Sequence, residues 1–304
     1  MKATASSHAA MLAVSALVAG SFSLGAMAAP HITPLALTTL RFALAAVVLW
    51  AFLRFRGERV PAVAFHALWR YILLGGLFSL YFVLMFEGLK TARPVSAAAV
   101  YATTPLVTAG FGWLLLGQRP SARMAVAVWI AALGALWLIF RADFAALLSF
   151  QLGQGEAIYF LGCVAHSLYI PLIRILNRGE SALVFTLGTV IGAMVGLMLA
   201  GLPALVATDW AALPPIVWIT IVYTAVFATA ASFALTQFAS LRIPAANVMA
   251  YTYLVPVWVI LWEIALGAGG PPVMILPGIA LILLALIAML GEDGRGRYSI
   301  SGLH

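Results

Sequence analysis

The sequence predicts an all-α integral membrane protein of ten transmembrane helices, arranged as two inverted five-helix repeats. Three observations predict it. Of 304 residues, 64% are hydrophobic and 8% charged, with a mean hydropathy of +1.10. The apolar residues gather into ten windows of span length, and the punctuation of one half recurs in the other at a fixed spacing. A water-soluble domain carries roughly 25% charged residues. With so few charges no water-exposed surface can be built, so lipid is the solvent for most of the chain.

A span needs about 20 apolar residues at about 1.5 Å rise each. Windows of that kind run 9–28, 34–53, 69–89, 94–116 and 121–140, then 156–174, 181–202, 213–238, 244–266 and 272–290. The first has the look of a leader as well, with Lys2 ahead of it and Ala26-Met27-Ala28 behind. It is read as helix 1, because its removal would leave nine spans and spoil the repeat. Short linkers rich in Pro and Gly stop one helix and start the next: Ala29–Pro34, Arg54–Pro61, Gly117–Pro120 and Gly267–Pro272. They leave no room for an extramembrane catalytic or nucleotide-binding module.

Net charge is +7, and its placement carries the meaning. With the N-terminus inside, Lys2, Arg54, Arg56, Arg59, Arg70, Arg119, Arg123, Arg174, Arg178, Arg242, Arg295 and Arg297 fall on the cytoplasmic side. Arg41, Lys90, Arg93 and Arg141 fall opposite, a division of twelve to four. This positive-inside bias predicts cytoplasmic termini and accounts for the charge without nucleic acid. Every basic residue is read as lying at a span end or in a loop. The single cysteine, Cys163, excludes an internal disulfide framework and is expected to be a packing residue.

The windows divide five and five near residue 150, giving units 1–150 and 151–304. Pro94 and Pro244 open the fourth and ninth spans, Tyr101 and Tyr251 follow, and Leu116-Gly117 and Leu266-Gly267 close them, each pair 150 apart; Pro105 and Pro256 are 151 apart. An odd number of helices per copy makes the second enter the membrane from the other side. That inverted plan is typical of secondary transporters, with the substrate site between the copies near the midplane. A duplicated scaffold or a channel is the alternative.

The segment FEGLKTARPVSAAAVYATTPLVTAGFGWLLLGQRPSARMAVAVWIAALGALWLIF at 86–140 resembles the EamA repeat of the drug/metabolite transporter superfamily. The Ala-rich helix, the Pro, the Leu-Gly turn and the Gly-containing last helix carry the likeness, together with Arg41-Phe42 on the second span. It extends over nearly the whole chain, once per half. The sequence departs at the turn, where Gln118 and Ala268 stand in place of the usual Glu. Length, ten spans and aromatic-rich middle helices look most like the YddG-type exporters of aromatic and other amino acids. The resemblance implies efflux from cytoplasm to periplasm across a bacterial inner membrane, without ATP or cofactor.

An amino-acid site needs aromatic or apolar walls and a few polar groups. Phe78, Tyr81 and Met85 share a stripe of the third span, spaced i, i+3, i+7. Tyr223 and Phe227 are paired at i, i+4 on the eighth, and Tyr101 and Tyr251 sit about two turns into the fourth and ninth. Packing or an interfacial aromatic belt is the plain alternative for each. His166 lies halfway along the sixth span, where an ionisable group usually faces a bundle interior or a cavity. Alone, without nearby carboxylates, it makes a poor metal site, and none is expected. Glu87 has Lys90 at i+3 for an ion pair, whereas Glu263 has no such neighbour and is the candidate proton site. Gly188, Gly192 and Gly196 form a small-residue stripe for close packing. Pro105 and Pro256 are read as matched hinges, and Pro171 as a kink.

The expected partners are a small-molecule substrate, amino acids or similar metabolites, and the lipid bilayer, with no nucleic acid and no oligomeric state implied. A phosphate carrier would show several mid-membrane cations. Gly-x-Ser-x-Gly, His-Glu-x-x-His and paired aspartates are absent from the sequence, which disfavours an intramembrane enzyme.

Overall fold

Each apolar window folds as a helix whose ends follow local chemistry. The computed structural model describes residues 2–117, 122–140, 153–243, 245–267 and 272–290. The first half comprises α1 (Lys2–Ala28), α2 (Pro34–Phe55), α3 (Trp69–Gly88), α4 (Pro94–Tyr101), α5 (Thr104–Leu116) and α6 (Ala122–Ile139). The second comprises α7 (Gln154–Leu176), α8 (Ala182–Ala207), α9 (Pro215–Ala225), α10 (Ser232–Ser240), α11 (Ala245–Ala250), α12 (Val255–Ala265) and α13 (Leu276–Leu290). Thr33 caps α2 by accepting from the Ala36 N–H, with Pro34 in the first turn. Ser181 caps α8 through Val184 in the same way. Gly117 and Gly267 adopt the left-handed conformation (φ +64° and +81°) that ends α5 and follows α12, a backbone state that favours glycine.

Among the described residues, eight helices are long and apolar enough to cross a membrane: 5–28, 34–55, 69–88, 94–116, 154–176, 182–207, 215–240 and 247–265. Ala125–Leu138 and Val273–Ala288 are shorter apolar helices at the two remaining expected spans. Some bounds differ from expectation. The first helix begins at Lys2 rather than 9. The seventh window continues through Pro203 to Ala207 rather than stopping at 202. Beside lipid, leaving the helix would strip more backbone groups of partners than the one bond that proline forfeits. Gln118, Ala268, Pro244, Arg119, Arg141, Arg295 and Arg297 lie outside the described residues, as do the side chain of Arg123 and the seam at 150.

Among the described residues, three spans are interrupted. Between α4 and α5 the chain turns at Ala102-Thr103, between α11 and α12 a 3-10 turn runs Tyr251–Leu254, and between α9 and α10 a π turn runs Val226–Ala231. Pro105 and Pro256 occupy the first turns that follow the first two breaks. A π turn inside an α-helix recurs at functional sites.

Most helix contacts run between the halves. The α3 helix lies against α7 and α8, while α1 lies against α9 and α10, and α2 against α8 and α9. Likewise α5 meets α7 and α12 meets α1, α4 meets α12 and α11 meets α5, and α6 pairs with α13. One large core fills the centre, and a second, alanine-rich core (Ala99, Ala102, Ala127, Ala131, Ala135) joins α4 and α6 to α13. Lipid-type surface surrounds them, with Trp50, Trp69, Trp113 and Trp129 all exposed.

Close helix contact depends on small residues at particular places. A Cβ on Gly192 would fall against the Tyr71 carbonyl and 2.8 Å from Ile72 N, and one on Gly75 would lie 2.6 Å from Thr189 O. Gly188 faces the Tyr71 ring. The expected stripe is therefore two glycines on α8 with Gly75 opposite; Gly196 is exposed and meets nothing within 4 Å, because it faces away from α3. Cys163 is buried in the core. Lys90 pairs with Glu87 at 2.7 Å on the surface.

At the face where α3 begins and α7 ends, Arg70 and Glu180 form a fully buried ion pair of 2.7 Å. The Tyr71 hydroxyl donates to the same carboxylate oxygen at 3.0 Å, and the Arg178 N–H donates to the other at 2.6 Å. Burial alone would raise the Glu180 carboxyl, but these donors, Arg70 foremost, hold it below the ordinary glutamate range.

Candidate functional site

At the centre, where α1, α3, α4 and α7 meet the π turn, α10 and the 3-10 turn, the side chains leave an internal cavity of about 30 Å³. Phe78, Tyr81, Tyr101, His166 and Tyr251, all expected site residues, line it together. The remaining wall includes Met11 and Ser15 of α1, Ala228 and Ser232 at the π turn, and Phe233 and Thr236 of α10. A void of this size holds about one water. The walls must part before a solute of amino-acid size can enter.

Rings and aliphatic side chains share the wall. His166 lies over Tyr81 (centroids 4.7 Å, 29°) and beside Tyr169 (5.9 Å, 18°), with Phe78 5.4 Å away. Phe78 in turn meets Phe233 at 3.8 Å. Polar atoms are few. The Tyr101 hydroxyl stands 3.4 Å from His166 Nε2, while His166 Nδ1 is buried without a partner. Such a surface offers π faces, several hydroxyls and one imidazole to a bound molecule. Among the described residues no group of three or more His, Cys, Asp or Glu side chains converges as a metal ion requires.

Hydrogen bonds join the helices on both sides of the cavity. Toward the face where α3 ends, the Tyr81 and Tyr159 hydroxyls share a 2.8 Å bond, and Ser96 donates to the buried Glu156 carboxylate at 2.7 Å. Gly88 and Gly155 bring the backbones of α3 and α7 together there. Toward the opposite face, His8 Nδ1 meets the Tyr251 hydroxyl at 2.9 Å, and Gln237 donates to the Tyr169 hydroxyl at 3.1 Å. Arg174 ties α7 to the end of α10 through the Ser240 carbonyl at 2.9 Å.

Two expected residues lie elsewhere. Tyr223 packs on α1, its hydroxyl donating to the Leu17 carbonyl at 2.9 Å, and Phe227 is 44% exposed on the outer face. The i, i+4 spacing that linked them did join them to each other, ring to ring at 5.4 Å, but on a face away from the cavity. Glu263 is half-buried on α12, away from the cavity lining.

Sequence reasoning placed Arg41 among the charges at span ends, and the structure corrects this. Arg41 is two turns inside α2 and fully buried. Its Nε donates to Thr229 Oγ1 at 2.6 Å and its Nη2 to the Ala228 carbonyl at 3.1 Å, both on the π turn, and its guanidinium lies 3.5 Å from the Phe82 ring centroid. Tyr159, Tyr169 and Phe233 were also missed, since an aromatic in so apolar a chain carries no sign of which way it faces. Arg41 did carry a signal. It stands seven residues inside an uncharged apolar window.

The profile of the EamA-like transporter family matches residues 6–140 and again 153–291. The chain belongs to the EamA-like transporter family. It is similar to the uncharacterized transporter YyaM of Bacillus subtilis (strain 168), at 25% identity over 292 residues, 95% of each chain. A crystal structure at 20% identity superposes with a TM-score of 0.69, covering 97% of this chain and 99% of that one, which shows the fold. As an EamA-like transporter of the drug/metabolite superfamily it is a multi-pass membrane protein that moves small molecules across a bilayer. Members of this family are transporters, in keeping with the reading of a carrier over an enzyme.

Proposed function

We propose that this EamA-like transporter is a secondary carrier that exports amino acids, aromatic or hydrophobic ones, from the cytoplasm across a bacterial inner membrane. The observation that carries the reading is the central cavity. It is walled by Phe78, Tyr81, Tyr101, His166 and Phe233, with hydroxyls to orient a polar end. Rings of this kind suit an aromatic or apolar side chain. Ten spans in two inverted repeats, 1–150 and 151–304 with cytoplasmic termini, supply the motion. Support comes from contacts that recur with halves exchanged: α3 with α7 as α1 with α10, and α5 with α7 as α12 with α1. In this scheme the chain bends at the breaks before Pro105 and Pro256, and the hydrogen bonds on the two sides of the cavity open alternately. Glu263 is the candidate proton carrier. A carrier of other metabolites or drugs on the same architecture is the second reading.

The test is uptake of labelled phenylalanine, tryptophan and leucine into proteoliposomes. Tyr81→Ala and His166→Ala each remove a ring of the cavity wall and are expected to lower uptake at least about tenfold, the effect of losing about 1.4 kcal/mol of binding. Normal transport by both variants refutes the site. A pH gradient should accelerate wild-type uptake and not that of Glu263→Gln if Glu263 carries the proton. Transport of drugs or sugars in place of amino acids selects the second reading.

A further inference from the structure

Arg41 is a cation in the middle of the bundle without an anion. No carboxylate lies within ion-pair distance of it among the described residues. A guanidinium has five N–H donors. Nε is given to Thr229 and Nη2 to the Ala228 carbonyl, but Nη1 has no partner although it is fully buried. One turn earlier on α2, the buried Thr38 hydroxyl is also without a partner. An ionised group inside a membrane protein is costly and marks a substrate or ion pathway by default.

A purely structural role explains less. Arg41 staples α2 to the π turn, but the Ala228 carbonyl already accepts from Ser232 Oγ at 2.8 Å. A neutral amide could bridge the same two acceptors without burying a charge. What a neutral residue could not do is bind an anion. The surroundings fit one negative charge on a solute held in the cavity. Ala228 and Phe82 both line the cavity, and both touch Arg41, Ala228 by its carbonyl and Phe82 by its ring face. These two residues form a thin wall between cavity and guanidinium.

We propose that Arg41 is the docking point for the carboxylate of a monoanionic or zwitterionic solute, reached when the Phe82 ring moves aside. The bidentate fork of arginine matches a carboxylate. With one cation, and with hydroxyls, an imidazole, rings and aliphatic side chains around it, the site suits a single carboxylate rather than a phosphate dianion. Neutral and purely cationic drugs gain nothing from it. This assignment of substrate class rests on the proposed carrier reading.

The experiment titrates detergent-purified protein with phenylacetate and with phenylacetamide, of nearly equal shape, following tryptophan fluorescence. Wild type is expected to prefer the anion by about 10- to 100-fold, the range for a hydrogen bond to a charged group. Arg41→Gln should bring the ratio to near one, and Arg41→Lys should leave it intermediate, keeping charge without the fork. Equal affinities in wild type, no binding of phenylacetate at millimolar concentration, or an undiminished ratio in Arg41→Gln each overturn the assignment. The wild-type ratio and Arg41→Lys decide the matter if Arg41→Gln does not fold. Parallel proteoliposome competition separates the two claims. Phenylalanine transport competed equally by phenylalaninamide keeps the carrier and removes the anion site. Preferential phenylacetate binding without phenylalanine transport keeps the anion site and removes amino-acid export.

Discussion

Gly192→Val is expected to leave little folded protein, while Gly196→Val, one turn along the same helix, is expected to behave as wild type. The contrast follows from what each Cβ would meet. On Gly192 it runs into the backbone of Tyr71 and Ile72, which cannot yield without moving α3 away from α8. On Gly196 it meets nothing within 4 Å and points outward. Overpacking a core typically costs about 1–3 kcal/mol, and a clash with backbone belongs at or beyond the upper end. The same crossing carries Tyr71 and the Arg70–Glu180 pair, so its loss disturbs both. Thermal unfolding of the two variants in detergent, followed by size-exclusion recovery, checks the prediction. Equal behaviour of the pair would contradict the α3–α8 packing.

Glu180→Ala is expected to destabilise by about 3–5 kcal/mol, the cost of leaving one member of a buried ion pair alone. Arg70 would keep its carbonyl partners, such as His66 O at 3.1 Å, but lose the carboxylate that neutralises it. Replacing both residues by apolar ones of similar volume should recover much of the loss, because the desolvation of two charges disappears with them. The pH dependence has a definite sign. Although burial pushes Glu180 upward, Arg70 and the Arg178 N–H hold it below its ordinary value of 4.5. A carboxylate depressed in the folded state contributes stability above its unfolded value and loses it as pH falls through the folded one. The gap between wild type and Glu180→Ala should be full at neutral pH and close as the pH drops below about 4.5. Unfolding midpoints measured between pH 3 and 7 test this; a gap that widens on acidification would contradict it.

The amount of this structure that the sequence discloses depends on the kind of signal. Helices were legible because lipid imposes a length and leaves backbone groups no other partner, so each expected window is mainly helical over its described residues. Helix breaks were half legible. Pro105 and Pro256 sit at two of them, but the π turn at Val226–Ala231 has no Pro or Gly to announce it. Tyr223 and Phe227 kept their i, i+4 pairing but on a face away from the cavity, which spacing alone does not set. In the cavity, Tyr81 and His166 were legible because a hydroxyl and an imidazole at mid-span need an interior. Phe233 was not, since an apolar ring is equally at home facing lipid. Arg41 was misplaced by counting it for topology alone. Its depth in the window was the better guide.

The cavity at His166 is proposed as the solute site of an alternating-access carrier. Countertransport tests it most directly. Proteoliposomes loaded with unlabelled phenylalanine are diluted into labelled phenylalanine, and accumulation is followed with time. Saturable, transient accumulation of label above equilibrium is expected, driven by the internal pool and lost in Tyr81→Ala. Flux that rises linearly with concentration and is indifferent to the internal pool would contradict it, because a pore needs no site that returns loaded.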